Sequence, residues 1–523
     1  MLLVLTTHQA LDDGRLRDRT AGWVTTITIT AMAFALRIWN VGFPNKILFD
    51  ETYYAKEAWG ILQSGYERKW TDGKESNPQI AQGDLSGFLE DPAYVVHPPL
   101  GKQLIAVGES MFGMNGFGWR FASVIFGTLL VFFTIRLARR LSRSTLVGAI
   151  AGILLTFDGL AFVMSRLALL DIFQATFTVA AVSAIVADRD WFRHKLADHL
   201  RKHNLNDLGG SFGPVMLWRP WRILAGLLLG AAVAVKWNSL FVIAVFGLTV
   251  VAWDLGARRL AGAGSKSWWS ILADGVPAFV QLVVLAVPVY MASWLGWITT
   301  SGGYYRDWGQ NNPEEPLVRF FGEAWGSLIY YHQKMYGFHT GNQMMVEAEH
   351  PYEAHPAGWL FMIRPIGIEA VNDIQPGEEG CDAVGTTCLQ VISGLGTPTL
   401  WWAAAIAIGA AVVWWLIGRD WRFSVPLLAI ASTWIPWFRY ADRPLFFFYA
   451  IMIIPFSSII LAMALGKILG PADHPKRRKR AMIVGIIIAL IIATFAFFYP
   501  VYTAETMSRP AWLMRMWLGN LWI

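Results

Sequence analysis

Charged residues are scarce in this chain. Lys, Arg, Asp and Glu make up 15% of the 523 residues, hydrophobic residues make up 55%, and the mean hydropathy is +0.42. A soluble globular protein needs more polar side chains than this to cover its surface. The shortage of charge therefore excludes a soluble globular protein and predicts a polytopic membrane protein.

Other features are missing as well. Residues 1–5 are apolar but too few for the core of a signal peptide, so we expect the first membrane span to act as an uncleaved anchor. No low-complexity linker or repeat marks off a soluble domain, and we expect one membrane-embedded domain over residues 1–523. In a membrane protein the net charge of +6 indicates how the chain is oriented in the membrane, and it is not by itself a sign of a charged partner. No nucleic-acid partner is expected.

Long apolar runs are what the sequence has in abundance. A run of roughly 18–22 residues crosses about 30 Å of hydrocarbon. We place eleven such runs, of which the fifth and sixth are separated only by the polar Lys236-Trp237-Asn238-Ser239. This pattern predicts an all-α polytopic membrane protein. The predicted spans are 21–40, 118–138, 144–163, 167–187, 221–238, 239–256, 275–298, 398–418, 423–440, 445–466 and 481–501.

Basic residues are concentrated in alternate loops, which the positive-inside rule places in the cytoplasm. The other loops are acidic: residues 41–100 hold five basic and nine acidic side chains, and residues 301–397 hold four and twelve. The predicted topology has a cytoplasmic N-terminus over 1–20, a first outer loop over 41–117, a large outer loop over 299–397 and an outer tail over 502–523. The basic set is Arg15, Arg17, Arg19, Arg136, Arg139, Arg140, Arg143, Arg258, Arg259, Lys266 and the run Lys476-Arg477-Arg478-Lys479-Arg480.

That topology bears on three shorter segments. Cys381 and Cys388 are the only cysteines and lie outside, where thiols oxidise. Six intervening residues can close a disulfide loop, and we favour a disulfide over free thiols. In the first outer loop, the proline pair predicts an interfacial helix around Pro98–Met111. The basic run 476–480 is most simply a topological anchor beside anionic membrane lipids.

Ionisable residues near the ends of the apolar runs indicate a polar site. Such a side chain inside a bilayer is costly, so each one raises a question of function. On the predicted topology they share the outer leaflet, which favours one site at the outer face, although any one of them could be snorkelling or structurally paired. They are Arg37, Asp158, Arg166, Asp171 and Lys236 at outer span ends, Arg120, Arg439, Asp442 and Arg443 at outer edges, and Asp50, Glu51 and His97 in the first outer loop.

Carboxylates among cations at headgroup level suit sugar transfer from a lipid phosphate. Arg and Lys can hold that phosphate and stabilise the charge that grows on it as it departs. The reaction needs one carboxylate as base and no general acid, unlike glycoside hydrolysis. A lipid or solute transporter is the alternative from another class. It would place polar residues near mid-membrane depth, where we find few.

Eight segments carry a family resemblance. They are FDETYY (49–54), HPPLGK (97–102), WRFAS (119–123), SRLALLD (165–171), VKWNSLF (235–241), YYHQKMYGFH (330–339), HPYEAHPAGW (350–359) and RPLFFFY (443–449). In this order they resemble the protein O-mannosyltransferase family, and most closely its actinobacterial members. The resemblance covers nearly the whole chain, and the order is far more specific than any single segment.

The resemblance implies a glycosyltransferase of the membrane-embedded GT-C architecture in the cytoplasmic membrane, with its site facing outward. The donor would be polyprenyl-phosphate mannose, and the acceptor would be a Ser or Thr hydroxyl of a secreted or membrane polypeptide. The product would be an α-O-mannosyl protein formed with inversion. No metal or other cofactor is expected. An acceptor still unfolded as it leaves the secretion translocon would present hydroxyls at the right depth.

The resemblance also assigns residues. The acidic pair falls on Asp50, as the general base, and Glu51, which would assist acceptor positioning or site electrostatics. Asp171 matches the Arg…Leu-Asp motif that begins at Arg166. Arg120, Lys236 and Arg166 match the family, and together with His97 and Arg443 they are the residues that we expect to hold the donor phosphate.

Several alternatives stay open. His97 could equally cap the helix that follows it. His332 and His339 could share a helical face, and with neighbouring histidines a metal site is conceivable, but no compact ligand motif is present. Residues 301–397 are too short for the MIR module of eukaryotic relatives. A related enzyme that moves another polyprenyl-linked sugar to a glycolipid or polysaccharide would share the fold and the base.

Overall fold

The computed structural model describes residues 7, 11, 18–71, 74–341 and 350–523. Helices dominate, and most of them pack around one large apolar core. In chain order the α-helices are α1 (Arg19–Ile38), α2 (Glu51–Ser64), α3 (Asn77–Ala81), α4 (Leu100–Phe112), α5 (Gly116–Ser142), α6 (Thr145–Thr156), α7 (Gly159–Met164), α8 (Asp171–Lys202), α9 (Pro220–Val235), α10 (Ser239–Leu260), α11 (Ser270–Ala273), α12 (Gly275–Phe279), α13 (Ala286–Ser293), α14 (Leu295–Thr299), α15 (Trp308–Asn311), α16 (Pro316–Phe321), α17 (Glu323–Gly341), α18 (Pro398–Leu416), α19 (Trp421–Trp434), α20 (Ile454–Leu469), α21 (Arg477–Phe498), α22 (Pro500–Thr503) and α23 (Arg509–Leu513).

Shorter elements connect these helices. The 3₁₀ helices are Gly264–Trp269, Pro356–Phe361, Ile435–Tyr440, Phe447–Met452 and Gly519–Leu521, and one π-helical turn spans Val280–Val284. The strands are β1 (Arg68–Trp70), β2 (Phe88–Pro92), β3 (Ile366–Ile374), β4 (Cys388–Gly394) and β5 (Met507–Ser508). Strand β1 pairs antiparallel with β2, and the other three form an antiparallel sheet in the order β3-β4-β5.

All eleven predicted spans fall on helical segments, and the all-α membrane fold is confirmed. The polar break at Lys236–Asn238 is also present, since α9 ends at Val235 and α10 begins at Ser239. The helical stretches long and apolar enough to cross a membrane are Arg19–Ile38, Gly116–Ser142, Asp171–Lys202, Ser239–Leu260, Gly264–Ser293, Pro398–Leu416 and Arg477–Phe498, and the shorter apolar helices are α6, α9 and α20.

Two predicted spans differ in detail. The span at 144–163 is broken between α6 and α7, because the Asp158 side chain accepts the N–H of Ala161 and caps α7. The same carboxylate accepts the indole N–H of Trp401 at 2.7 Å, which ties the break to α18. The span predicted at 167–187 continues as helix to Lys202, because Leu196 and Leu200 bury the extension in a second apolar cluster.

The helix predicted around 98–111 is confirmed as α4, which crosses α5 at close range. A methyl group at Gly108 would collide with the carbonyl oxygen of Gly118, and one at Gly118 would collide with the carbonyl oxygen of Gly113. Only glycine allows backbones to approach this closely. The crossing fixes α4 against the start of α5, which carries Arg120.

The β3-β4-β5 sheet departs from the expected all-α fold. It depends on a long-range contact, because β5 comes from the C-terminal segment and pairs with β4. The structure joins Cys381 to Cys388 in a disulfide, with Cα atoms 5.7 Å apart, at the end of the β3-β4 hairpin. The tail contributes β5, and Leu389 pairs with Met507. The sheet therefore connects the loop after α17 to the C-terminal segment.

Candidate active site

The helix α2 begins at the predicted acidic pair. The Asp50 carbonyl accepts the N–H groups of Tyr53 at 3.0 Å and Tyr54 at 3.1 Å. Phe49, just before it, has a φ of 47°, a left-handed conformation that is rare for a bulky residue. Its ring packs edge-on against Phe448, with centroids 5.6 Å apart. This contact stabilises the turn that precedes Asp50.

Asp50 is half-buried and has a carboxylate without a partner. No side chain or backbone N–H that the structure describes donates a hydrogen bond to it or forms an ion pair with it. Burial raises the pKa of Asp50 to about 6, while the charge on Lys236 lowers this pKa and the charge on Asp171 raises it. A carboxylate with accessible oxygens and a pKa near neutrality can accept a proton from a bound hydroxyl.

Glu51 is fully buried and is bound on all sides. Its Oε1 accepts hydrogen bonds from Arg120 Nε at 2.8 Å and the Ala168 N–H at 3.0 Å, and its Oε2 accepts from Arg120 Nη2 and the Leu48 N–H, both at 2.9 Å. Because each carboxylate oxygen already accepts hydrogen bonds from two donors, Glu51 has little capacity left for a substrate. Glu51 ties the start of α2 to α5 and to the segment before α8.

Arg120 has no N–H group left for a phosphate. Besides the two bonds to Glu51, its Nη1 donates to the carbonyl oxygens of Val41 and Pro44, and its Nη2 donates to that of Lys46. A guanidinium has five N–H donors, and all five are used. Arg120 therefore binds the backbone that leads into the acidic pair.

Arg166 is placed in a similar way. Its Nη1 donates to the carbonyl oxygens of Arg37 at 2.8 Å and Trp39 at 2.6 Å, and its Nη2 donates to that of Asn40 at 3.1 Å. These carbonyls belong to the last turn of α1 and the residues after it. Arg166 thus holds the end of α1, one segment upstream of the stretch held by Arg120.

Asp171 and Lys236 form a buried ion pair, with Nζ 2.8 Å from Oδ2. Lys236 lies in the break between α9 and α10, and Asp171 is the first residue of α8. One turn along α8, Gln174 donates to the Asn238 side chain and to the Ser239 hydroxyl at 2.7 Å. The start of α8 therefore fixes the break and aims Lys236.

The rings of His97 and His339 stack, with their centroids 5.2 Å apart. Burial lowers the pKa of both rings, and that of His97 falls well below its usual range, so both are neutral at pH 7. His339 Nε2 lies 2.7 Å from the Val96 carbonyl oxygen and must carry its proton there. The alternative that His97 caps α4 is not observed, since Pro99 precedes that helix without a side-chain cap.

Arg443 is a cation without a hydrogen-bond or ion-pair partner among the described residues, and its guanidinium lies 5.9 Å from the centre of the Trp437 ring. Its Nε is buried and makes no hydrogen bond to any residue in 18–71, 74–341 or 350–523. Its charge lowers the pKa of both His97 and His339 after the larger effect of burial, so it lies in the same cluster. The structure thus brings together Asp50, Asp171, Lys236, the histidine pair and Arg443.

His332 belongs to a hydrogen-bonded chain beside Lys236. Its Nδ1 lies 2.7 Å from the Leu328 carbonyl oxygen, so Nε2 is the acceptor for the Tyr290 hydroxyl at 2.7 Å. Tyr290 in turn accepts the Trp237 indole N–H at 3.0 Å. Within the described part of the chain no group of three His, Cys, Asp or Glu side chains could hold a metal ion. His332 is fixed in a role that orients Trp237.

Two parts of the neighbourhood were not assigned from the sequence. Lys102 is fully buried and pairs with Glu57 at 3.3 Å and with Glu67, which joins α4 to α2. Tyr449 places its ring centre 5.3 Å from Lys236 Nζ. Lys102 and Tyr449 are the last residues of HPPLGK and RPLFFFY, so these two segments could have pointed to them.

Comparisons with known proteins show sequence similarity over most of the chain. The family profile described as dolichyl-phosphate-mannose-protein mannosyltransferase matches residues 27–195, and the profile of the C-terminal four-span region of protein-O-mannosyltransferase matches residues 324–522. A polyprenol-phosphate-mannose–protein mannosyltransferase of Mycolicibacterium smegmatis is 36% identical over 509 residues, which is 96% of this chain and 93% of that protein. The enzyme of the same name from Corynebacterium glutamicum is 35% identical over 90% of this chain and 88% of its own.

One solved structure shares the fold over nearly the full length. It is the Saccharomyces cerevisiae protein O-mannosyltransferase Pmt1-Pmt2 complex bound to the sugar donor. The TM-score is 0.69 at 13% identity, with 96% of this chain and 93% of that chain covered. At this identity the similarity is one of fold.

Proposed function

We propose that this chain, which belongs to the protein O-mannosyltransferase family, transfers mannose from polyprenyl-phosphate mannose to Ser or Thr hydroxyls of secreted or membrane proteins. The single observation that carries the mechanism is the Asp50 carboxylate, which is unpartnered among the described residues and lies in the field of Lys236 and Asp171. No metal or other cofactor is required by this chemistry.

The proposed reaction has one displacement. Asp50 removes the proton from the acceptor hydroxyl as the hydroxyl oxygen bonds to C1 of mannose. The bond between C1 and the phosphate oxygen breaks, and polyprenyl phosphate leaves with one more negative charge than it carried as a diester. The configuration at C1 inverts. Asp50 then releases its proton to water.

The charge that grows on the phosphate needs cations with free donors. Lys236 gives one of its three N–H groups to Asp171 and keeps the others. Arg443 contributes a guanidinium with a buried, unpartnered Nε in the described structure. Neutral His97 can donate a hydrogen bond to the same phosphate. We assign the phosphate to these three residues.

Arg120 and Arg166 receive a different role from the one the sequence suggested. Their donors bind backbone carbonyls of residues 37–46, and Arg120 also binds Glu51. Both are therefore positioning residues, and Glu51 acts through the placement of Asp50. His332 orients Trp237 through Tyr290, and His339 binds the backbone beside His97. Both are therefore positioning residues as well.

The site is proposed to face outward, since nucleotide sugars stay in the cytoplasm and a lipid-linked donor serves the other side. The acidic loops that surround the site and the basic loops on the other side support this orientation. A polypeptide emerging from the translocon is the acceptor that fits this depth. Labelling of Asp91→Cys but not Arg478→Cys by an impermeant maleimide on whole cells would support it, and the reverse pattern would contradict it.

The decisive assay is transfer of radiolabelled mannose from polyprenyl-phosphate mannose to a Ser/Thr-rich peptide. Membranes with wild type are compared with Asp50→Asn and Lys236→Ala, and with Asp91→Asn as the matched control, since Asp91 is an exposed acid of the same loop. We expect Asp50→Asn to lose about 10²–10⁴-fold in rate, Lys236→Ala to lose a similar amount and the control to stay near wild type.

Two results would contradict the proposal. Peptide labelling that survives Asp50→Asn would remove Asp50 as the base while leaving the reaction intact. Label that enters lipid or glycan and never peptide, from well-expressed wild type, would replace the protein acceptor with a glycolipid or polysaccharide.

A further inference from the structure

A cavity of about 230 Å³ lies far along the helices from Asp50 and Lys236, at the opposite ends of their bundle. It is bounded by the turn between α5 and α6, the start of α19, the end of α20 and the start of α21. Apolar helices begin and end together here, so the cavity lies where hydrocarbon meets water. It plays no part in the proposed transfer.

Three cations line this cavity: Arg422, Lys467 and Arg477. Asp420 is shared between Arg422 at 2.7 Å and Lys467 at 3.2 Å, whereas Arg477 forms no ion pair with a residue that the structure describes. Arg477 donates to the Gly470 carbonyl oxygen at the end of α20. The excess of positive charge in a concave site favours the binding of an anion.

Besides Ser142, Ser144 and two glycines, the rest of the wall is apolar. Leu146 and Phe423 line the same cavity, and 48% of the Leu146 side chain is exposed. A free inorganic anion would gain nothing from the apolar part of this wall. A molecule with an anionic phosphate and an attached apolar chain would use both parts of the lining.

We propose that this cavity binds the phosphate of an anionic phospholipid, with the glycerol and the start of the acyl chains against the exposed Leu146. Lys467 and Arg477 hold the phosphate, because both reach the cavity from helix ends at the membrane boundary. The basic run that begins at Lys476 continues this charge away from the cavity. The predicted cytoplasmic position of this run places the site in the inner leaflet.

The test uses the full chain, purified in a neutral detergent, and native mass spectrometry with added phosphatidylglycerol. The double variant Lys467→Gln/Arg477→Gln removes two cations of the cavity. The matched control Arg478→Gln/Lys479→Gln removes two exposed cations of the same run that do not line it. At about fivefold for each cation beside anionic lipid, we expect roughly thirty-fold weaker binding in the first variant and less than about threefold in the control.

Phosphatidylcholine and inorganic phosphate identify the ligand. Preference for phosphatidylglycerol over phosphatidylcholine, lost only in the cavity variant, supports the site. Equal loss in both double variants would show diffuse attraction by the basic run and would overturn the proposal, as would binding unchanged in the cavity variant. Displacement of phosphatidylglycerol by millimolar inorganic phosphate would also overturn it, because the ligand would then be the free anion.

Discussion

Asp50 and Glu51 are neighbours in the chain, yet the Glu51 carboxylate accepts four hydrogen bonds while that of Asp50 accepts none from the described residues. The buried Glu51–Arg120 pair anchors the start of α2, and this anchor places the half-buried Asp50 beside the cations of the site. One carboxylate is therefore structural, and the other is available for chemistry.

Transfer should depend on the ionisation of Asp50. Burial raises the pKa of this carboxyl to about 6, and only the deprotonated form can accept a proton. We expect kcat/KM to rise with pH between about 5 and 7 and to level off above that range. Initial rates of peptide mannosylation across this range check it. A profile that is flat through pH 6 would count against Asp50 as the base.

The same burial should make Asp50 costly for stability. The pKa of Asp50 is about 6 in the folded chain and 3.8 without burial, so the folded state favours the protonated form. Below pH 3.8 the carboxyl is protonated in both states and costs no stability. As pH rises through 6, the folded state loses the protonated form and the full cost of the buried charge lowers the free energy of unfolding. Asp50→Asn should raise the free energy of unfolding at pH 7.5 by up to about 3 kcal/mol and leave it unchanged below pH 4. Thermal unfolding in detergent at both pH values measures this, and an equal Tm shift at both would exclude the charge as its cause.

Replacement of Arg120 should cost stability rather than donor affinity. Lys has three donors on one nitrogen and cannot serve the five acceptors that Arg120 binds. Breaking a buried pair of this kind costs about 3–5 kcal/mol, so Arg120→Lys should lower Tm strongly. If Arg120 were instead a ligand of the donor phosphate, Arg120→Lys would raise the KM for donor at an unchanged Tm.

Arg443 should show the opposite pattern. Its side chain has no described hydrogen-bond partner to lose, so Arg443→Gln should leave Tm within about 1 °C of wild type, as surface-like substitutions do. Loss of a charge-assisted contact to phosphate should lower kcat/KM for donor about 10–100-fold. Arg439→Gln, an exposed arginine four residues upstream, is the control. Equal effects of the two substitutions would argue against a specific contact.

Gln174 should act as a positioning residue for Lys236. Gln174→Leu removes the hydrogen bonds that Gln174 donates to the break between α9 and α10 and leaves the Asn238 side-chain oxygen and the buried Ser239 hydroxyl without this donor. We expect a fall in kcat of about tenfold with little change in the KM for acceptor. Thr178→Val, one turn further along α8, is the matched control because its hydroxyl has no partner among the described residues. A fall in kcat in both variants would indicate general damage to α8.

The sequence by itself determined the membrane class, the helical segments on which the eleven predicted spans fall and the segments around the site. The length of an apolar run is a local property, because consecutive residues alone decide whether the run can cross the hydrocarbon. The polar Lys236–Asn238 break was visible for the same reason, since it interrupts such a run locally. The ordered segments from FDETYY to RPLFFFY gave the family, which the profiles and the bacterial relatives support. The helix over Leu100–Phe112 and the preferred cysteine pairing were also readable from local signals.

Tertiary structure decided which of the polar residues are free. Arg120 and Arg443 look alike in the sequence, but the backbone carbonyls that occupy Arg120 come from residues about eighty positions away, and no local pattern records them. Asp50 and Glu51 differ for the same reason. The β3-β4-β5 sheet depends on the pairing of residues 388–389 with 507–508, a long-range contact between segments without strong local strand signals. Periodicity and composition report what each segment prefers, whereas the partner of a buried charge is set by the packing of distant segments.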